Sequence, residues 1–476
     1  MEFTSIIFAI FYSFIFVLYW QVSEKNRNII LLVANIVFYL SFGIKYVFVL
    51  LYIIVFSFIM AKILEQRKKK GILVLAVLGT VALLILFKYC GFVTRILNGI
   101  FSVCGFGMQM SIFHLIAPIG ISYYTFQAIS YLVDVYRGKI KAEKDFFIYA
   151  IYLSFFPIVL SGPIERAENL IEQLHKERNF DYSNAVLGLE RILWGCFKKL
   201  VIADNLAVYV NAVGNNIYEY TGFAIVLANL GFTIQLYCDF SGYSDMAIGF
   251  AKMLNIHLKE NFKAPYFSES IKEFWSRWHI SLSGWLRDYI YIPLGGSRCS
   301  KIKGMFNLML TFLISGIWHG AGIKFLIWGA MHGILQCAEK VYTDILNVSV
   351  PKRKITKIFK IIVTFLIINF TWLPFWLPTT RSFLYAVIHM FDGMQNMGNY
   401  VRNGINEFNI NSFMMTTLLL SLSVLIVHDY KAKKSEVYDR FVVNSKLERR
   451  IVRISLLLLV LCFNCVAGSS FIYFQF

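Results

Sequence analysis

The sequence predicts an all-α, polytopic integral membrane protein. Three observations predict it. Of 476 residues, 58% are apolar and only 16% charged, against roughly 25% charged in soluble domains. Mean hydropathy is +0.62. Apolar runs long enough to cross a bilayer recur at both ends of the chain. A soluble chain this apolar could not cover itself with polar surface. Disorder, collagen, coiled coil and a small disulfide scaffold are excluded on the same grounds. We expect one membrane-embedded domain over 1–476, with scaffold at 1–90 and 355–476 and a functional body at 115–345.

The N-terminal scaffold holds four spans, near 5–20, 28–43, 46–63 and 71–87. Each covers most or all of the hydrocarbon at about 1.5 Å per residue. Lys25 and Arg27 lie between the first two spans, and Arg67, Lys68, Lys69 and Lys70 between the last two. Both loops fall on one side and both are basic, so that side is the cytoplasm and the N-terminus lies outside. Residues Met1-Glu2-Phe3-Thr4 carry no positive charge, and no cleavable leader is expected.

The C-terminal scaffold obeys the same parity. Lys352, Arg353, Lys354 and Lys357 precede a span near 359–378, and Lys431, Lys433 and Lys434 follow one near 411–428. A last helix near 452–469 follows Arg449, Arg450 and Arg453, and is expected to put the C-terminus outside.

Forty-six basic against 28 acidic residues give a net charge of +18. In a membrane protein this is first the excess of cytoplasmic Lys and Arg, and no nucleic-acid partner is implied. The eight cysteines form no framework. Cys462 and Cys465 make a C-x-x-C inside LLLLVLCFNCVAG, where thiols act as small hydrophobes.

The body, about 115–345, breaks its apolar runs with charge, glycine and proline. Irregular backbone at membrane depth survives only inside protein or beside a water-filled cavity. The densest polar stretch is 265–298. It holds Arg277, Trp278, His279, Arg287 and Asp288. It reads either as an amphipathic surface helix or as the wall of a polar cavity. Residues 251–303 carry nine Lys or Arg against four Asp or Glu, a sign that suits a phosphate-bearing donor.

His319 sits in the apolar run FLISGIWHGAGIKFLIWG, where an ionisable side chain is costly unless it faces the interior. Its neighbours Gly316, Gly320 and Gly322 allow close approach. An imidazole there can be a packing group or a base that takes a proton from a hydroxyl. His332, thirteen residues on, could line the same cavity. Asp239, Ser241, Tyr243, Asp245, Asp134 and Arg137 read as internal hydrogen-bonding groups. No G-x-S-x-G and no H-E-x-x-H occurs, and no metal site is expected.

Six motifs, spread in order from 118 to the last residue, resemble the membrane-bound O-acyltransferase family, in its bacterial alginate O-acetylation branch. They are PIGISYYTFQAISYLVDVYRG, FFPIVLSGPIER, YCDFSGYSDMAIG, FWSRWHISLSGWLRDYIYIPLGG, GIWHGA and FIYFQF. The resemblance implies a many-helix bundle around a central funnel. It implies that His319 is the family's near-invariant histidine and that His279 is its second conserved polar position. Arg287 and Asp288 match conserved positions, for support or donor contact.

The resemblance further implies a cytoplasmic acyl donor, acetyl-CoA, with no bound cofactor. The acceptor is an exported polysaccharide outside. An extracytoplasmic SGNH-type or alginate-O-acetylation-type acetyltransferase partner is expected to complete transfer. Two other readings stay open: D-alanyl transfer to teichoic acid from a phosphopantetheine carrier protein, and a glycan or lipid transporter. The transporter would be expected to show repeats or a charged relay, and neither is visible.

Overall fold

The computed structural model describes residues 1–476 except 106–108, 112–114, 346–352, 435–444, 465–470 and 473–476, and the side chains of 344, 345, 434 and 446. Cys465, Lys352 and the last four residues of FIYFQF therefore lie outside the described residues. Among the described residues the elements are all helical. Five helices are long and apolar enough to cross a membrane: Ile44–Gln66, Lys70–Val103, Phe223–Met253, Lys354–Trp376 and Ser412–Lys433. Four overlap spans expected from the sequence, although Lys70–Val103 runs sixteen residues past the expected 71–87; the expected spans near 5–20, 28–43 and 452–469 fall on Ile6–Gln21, Glu24–Leu40 and Lys446–Phe463, which are not among the five. The fifth, Phe223–Met253, lies in the body, where the carboxylates of Asp239 and Asp245 hide it from span counting. The chain divides into two compact units, Met1–Gly188 with Ala247–Lys259, and Leu189–Met246 with Glu260–Phe476.

In the first unit, Ile6–Gln21 begins where the Ser5 hydroxyl accepts the Phe8 N–H at 3.2 Å, an N-cap. Tyr12 donates to the Phe250 carbonyl at 2.7 Å and Tyr19 to that of Leu254 at 3.3 Å, so aromatic hydroxyls pin this helix to 247–259. Glu24–Leu40 is tied by Asn35, which donates to Ser154 Oγ at 3.1 Å and accepts from Phe156 N–H at 2.9 Å. Ile121–Arg137 is buried along most of its length. It starts and stops at Gly120 (φ +80°) and Gly138 (φ +72°), both left-handed. Residues 155–166 form no regular helix and are buried throughout. That is how irregular backbone persists in an apolar chain.

In the second unit, buried charge is paired internally. Lys199 bridges Asp204 at 2.8 Å and Asp239 at 2.7 Å. Arg191 bridges Asp245 and Glu260, each at 2.6 Å, and Lys198 joins Asp245 and Ser241. Asp239, Ser241 and Asp245 thus hold helices together, as the sequence suggested.

Lys301–His319 and Ile323–Lys340 pack as a hairpin across Gly316, Gly329 and Gly333. What approaches Gly316 is the carbonyl of Phe325 on the facing helix, and Gly320 is covered by the Phe325 ring. A methyl on Gly329 would lie 2.5 Å from the Phe312 carbonyl oxygen. Because both partners there are backbone, relief requires the helices to separate. Gly329→Ala is expected to destabilise the unit by about 1–3 kcal/mol, read as a lower thermal midpoint in detergent. Gly322→Ala, which meets only side-chain atoms at 3.8 Å, serves as the mild comparison.

Candidate active site

His279 stands between two short helices, Ile271–Arg277 and Ile280–Leu286. Its backbone is left-handed (φ +45°, ψ +53°), uncommon for a residue with a Cβ. Such conformations persist where the surroundings over-determine them. Here Asn261 does so. Its backbone carbonyl accepts from Ile280 N–H at 2.9 Å. Its side-chain oxygen accepts from Ser281 N–H at 3.3 Å, from Ser281 Oγ–H at 2.9 Å and from His279 Nδ1–H at 3.1 Å. Asn261 Nδ2 donates to Ser244 Oγ at 3.2 Å, and because the Ser281 N–H can only donate, the Asn261 atom it shares with the histidine is the acceptor oxygen. Nδ1 therefore carries the proton and Nε2 carries the ring's lone pair.

The His279 ring is fully buried against Phe240, centroids 4.6 Å apart, and burial pushes its pKa down to about 3. An unfolded histidine titrates near ~6.5. The folded value is depressed, so the stabilisation is complete above about pH 6.5 and is lost as pH falls from there towards 3. Stability is expected to decline on acidification from pH 7 to pH 5, by up to ~1.4 kcal/mol per pH unit from this group. His279→Asn tolerates the left-handed backbone and should flatten that dependence, measured as thermal midpoint against pH.

His319 ends the Lys301–His319 helix and is buried. Its ring packs on Trp318 and Trp328, each at 4.9 Å, and on Phe375 at 5.3 Å. The Trp318 ring also meets His279, at 6.2 Å. One indole thus touches both histidines, although forty residues separate them in sequence. Trp328 touches His332 on its other flank at 4.8 Å. His332 Nδ1 accepts from Trp275 Nε1–H at 3.3 Å, so its acceptor nitrogen is already used. Trp278 is buried beside Trp372, centroids 5.2 Å apart, and Trp372 reaches His332 at 6.1 Å.

The structure thus gathers His279, His319, His332 and Trp278 into one aromatic cluster. Arg277 lies at its edge, its guanidinium held by Glu273 at 2.9 Å and by the Lys263 carbonyl at 3.1 Å. Arg287 and Asp288 form a 2.9 Å pair whose arginine is largely exposed. Asn261, Trp318, Trp328 and Phe375 were not singled out from the sequence. Asn261 is eighteen residues from His279, and no helical period links the two. Among the described residues no group of three or more His, Cys, Asp or Glu is placed to hold a metal ion.

The profile of the MBOAT, membrane-bound O-acyltransferase family matches residues 143–378, which include the whole cluster. A probable alginate O-acetylase AlgI of Pseudomonas aeruginosa is 37% identical over 432 residues, covering 89% of this chain and 81% of that protein. A peptidoglycan O-acetyltransferase of Helicobacter pylori is 32% identical, covering 94% and 91%. A teichoic acid D-alanyltransferase of Bacillus subtilis is 28% identical, covering 53% and 67%.

Proposed function

The chain belongs to the membrane-bound O-acyltransferase family and is a membrane O-acyltransferase; from that premise we propose that it moves an acetyl group from cytoplasmic acetyl-CoA towards hydroxyls of an exported polysaccharide. The relatives that cover most of its length carry acetyl activities in their names, and the D-alanyl relative covers about half of it. The observation that carries the chemical reading is the pair of buried histidines on Trp318.

In this reading His319 is the general base. It takes the proton of an attacking hydroxyl as oxygen adds to the thioester carbonyl carbon. The carbon–sulfur bond then breaks, and the proton passes to the leaving thiolate. An imidazole suits both transfers because one ring nitrogen can take up a proton and later give it back. His279 shares or orients that work through Nε2, held in one tautomer by Asn261. Both chain ends face outside, 115–345 is the working body, and the flanking regions are its scaffold. An extracytoplasmic SGNH-type or alginate-O-acetylation-type partner completes transfer to the glycan.

Deleting the gene and assaying base-labile esters on exported polysaccharide tests this reading. Loss of acetate, restored by the full chain, is expected. Loss of D-alanine instead would favour the teichoic acid reading. Unchanged esters of both kinds would refute transfer to an exported polymer.

A further inference from the structure

Lys324 stands in the first turn of the Ile323–Lys340 helix. A cation there opposes the helix dipole, so the charge does not serve its own helix. Its partners lie on another segment. The ammonium donates to the Phe375 carbonyl at 3.3 Å and to the Leu377 carbonyl at 2.8 Å. These carbonyls lie at the end of the one-turn helix Leu373–Trp376. That helix cannot run on, because Pro378 has no N–H to extend the ladder. Carbonyls at a helix end need outside donors, and here Leu373, Phe375 and Leu377 are all buried. The lysine supplies those donors, as charge-assisted hydrogen bonds.

The consequence reaches His319 through Phe375. The Phe375 ring packs on His319 at 5.3 Å, on Trp328 at 5.4 Å and on Phe325 at 5.5 Å. Phe325 follows Lys324 in the chain, and its ring covers Gly320, the residue after His319. His319 itself ends a helix and is followed by the short connection 320–322. A side chain so placed keeps one orientation only while the groups packed on it are themselves held. Taking His319 as the base proposed above, we infer that Lys324 is a positioning residue for acyl transfer. It clamps the 375–377 backbone and so seats Phe375 against the His319 ring.

The test compares the wild type with Lys324→Met, Lys324→Arg, Phe375→Leu and the double variant Lys324→Met with Phe375→Leu, each as the full chain in inverted membrane vesicles. Lys324→Gln takes the place of Lys324→Met if that variant does not accumulate. Lys324→Met is expected to lower kcat with acetyl-CoA about ten-fold or more and leave KM within about two-fold, as a misplaced base does and a lost binding contact does not. Lys324→Arg, whose guanidinium can donate to both carbonyls, should restore the rate. Phe375→Leu should lose as much, and the double variant no more than Phe375→Leu, because the lysine acts through that ring. Unchanged kcat in Lys324→Met, a rise in KM alone, or multiplied losses in the double variant would each overturn the clamp. A second measurement needs no acyl donor. Diethyl pyrocarbonate labelling of His319 is followed by peptide mass spectrometry, with the exposed His175 as internal standard. His319 should label several-fold faster in Lys324→Met than in the wild type or Lys324→Arg, and equal labelling would overturn the proposal. Faster labelling in Lys324→Met, with no acetyl turnover by the wild type, would leave the clamp standing and refute the acetyl reading alone.

Discussion

His319→Gln is expected to lower acyl transfer by about 10²–10⁴-fold while the protein remains folded in the membrane. The magnitude is that of removing a positioned general base. Glutamine is chosen because it roughly fills the space between Trp318, Trp328 and Phe375 but cannot take up a proton at neutral pH. His319→Ala should lose activity equally, with an added packing penalty. Acetate on the exported polymer and the amount of chain in the membrane are the two readings. Loss of acetate at constant membrane level identifies chemistry; a parallel fall of both would identify packing. His332→Gln is the internal comparison. Its ring lies in the same aromatic cluster, but its Nδ1 already accepts from Trp275, so a smaller loss is expected.

Lys199→Met is expected to cost about 3–5 kcal/mol, the range for removing one partner of a buried ion cluster. The substitution leaves Asp204 and Asp239 buried without their shared cation. Asp239 also accepts the Ile472 N–H at 2.8 Å, so the C-terminal segment should loosen with it. The reading is the thermal midpoint in detergent, or membrane yield if the variant does not accumulate. Adding Asp204→Asn and Asp239→Asn to Lys199→Met should recover much of the loss, because the unpaired charges are then gone. Failure to recover would mean that the lysine acts through packing rather than charge.

Much of the architecture was legible in the sequence because the bilayer imposes a length on apolar helices. Ile44–Gln66, the first half of Lys70–Val103, Lys354–Trp376 and Ser412–Lys433 follow from hydropathy and basic loops alone. Phe223–Met253 was not countable, since Asp239 and Asp245 break its apolar run and only their partners Lys199, Arg191 and Lys198 make burial possible. Those partners lie on another segment, and local pattern carries no information about them. The glycines near His319 signalled close approach, and at Gly316 and Gly320 what comes close is Phe325 of the following helix.

The histidines show the same division. His319 stood out as an ionisable group in apolar sequence, and His279 as a member of the densest polar stretch. Their meeting at Trp318 depends on the path of the chain between 279 and 319, which spacing does not encode. Asn261 was invisible for the same reason. Its role comes from one backbone carbonyl and one amide oxygen folded against residues 279–281.

The most direct test of the central claim uses inverted membrane vesicles from cells making the wild type or His319→Gln, which keep the chain with its membrane partners. Acetyl-labelled CoA is supplied on the exposed cytoplasmic face, and label is counted on polysaccharide inside the vesicles. The account predicts lumenal label with the wild type and label reduced at least about a hundred-fold with the variant. Equal lumenal label with both would contradict it and move the chemistry away from His319.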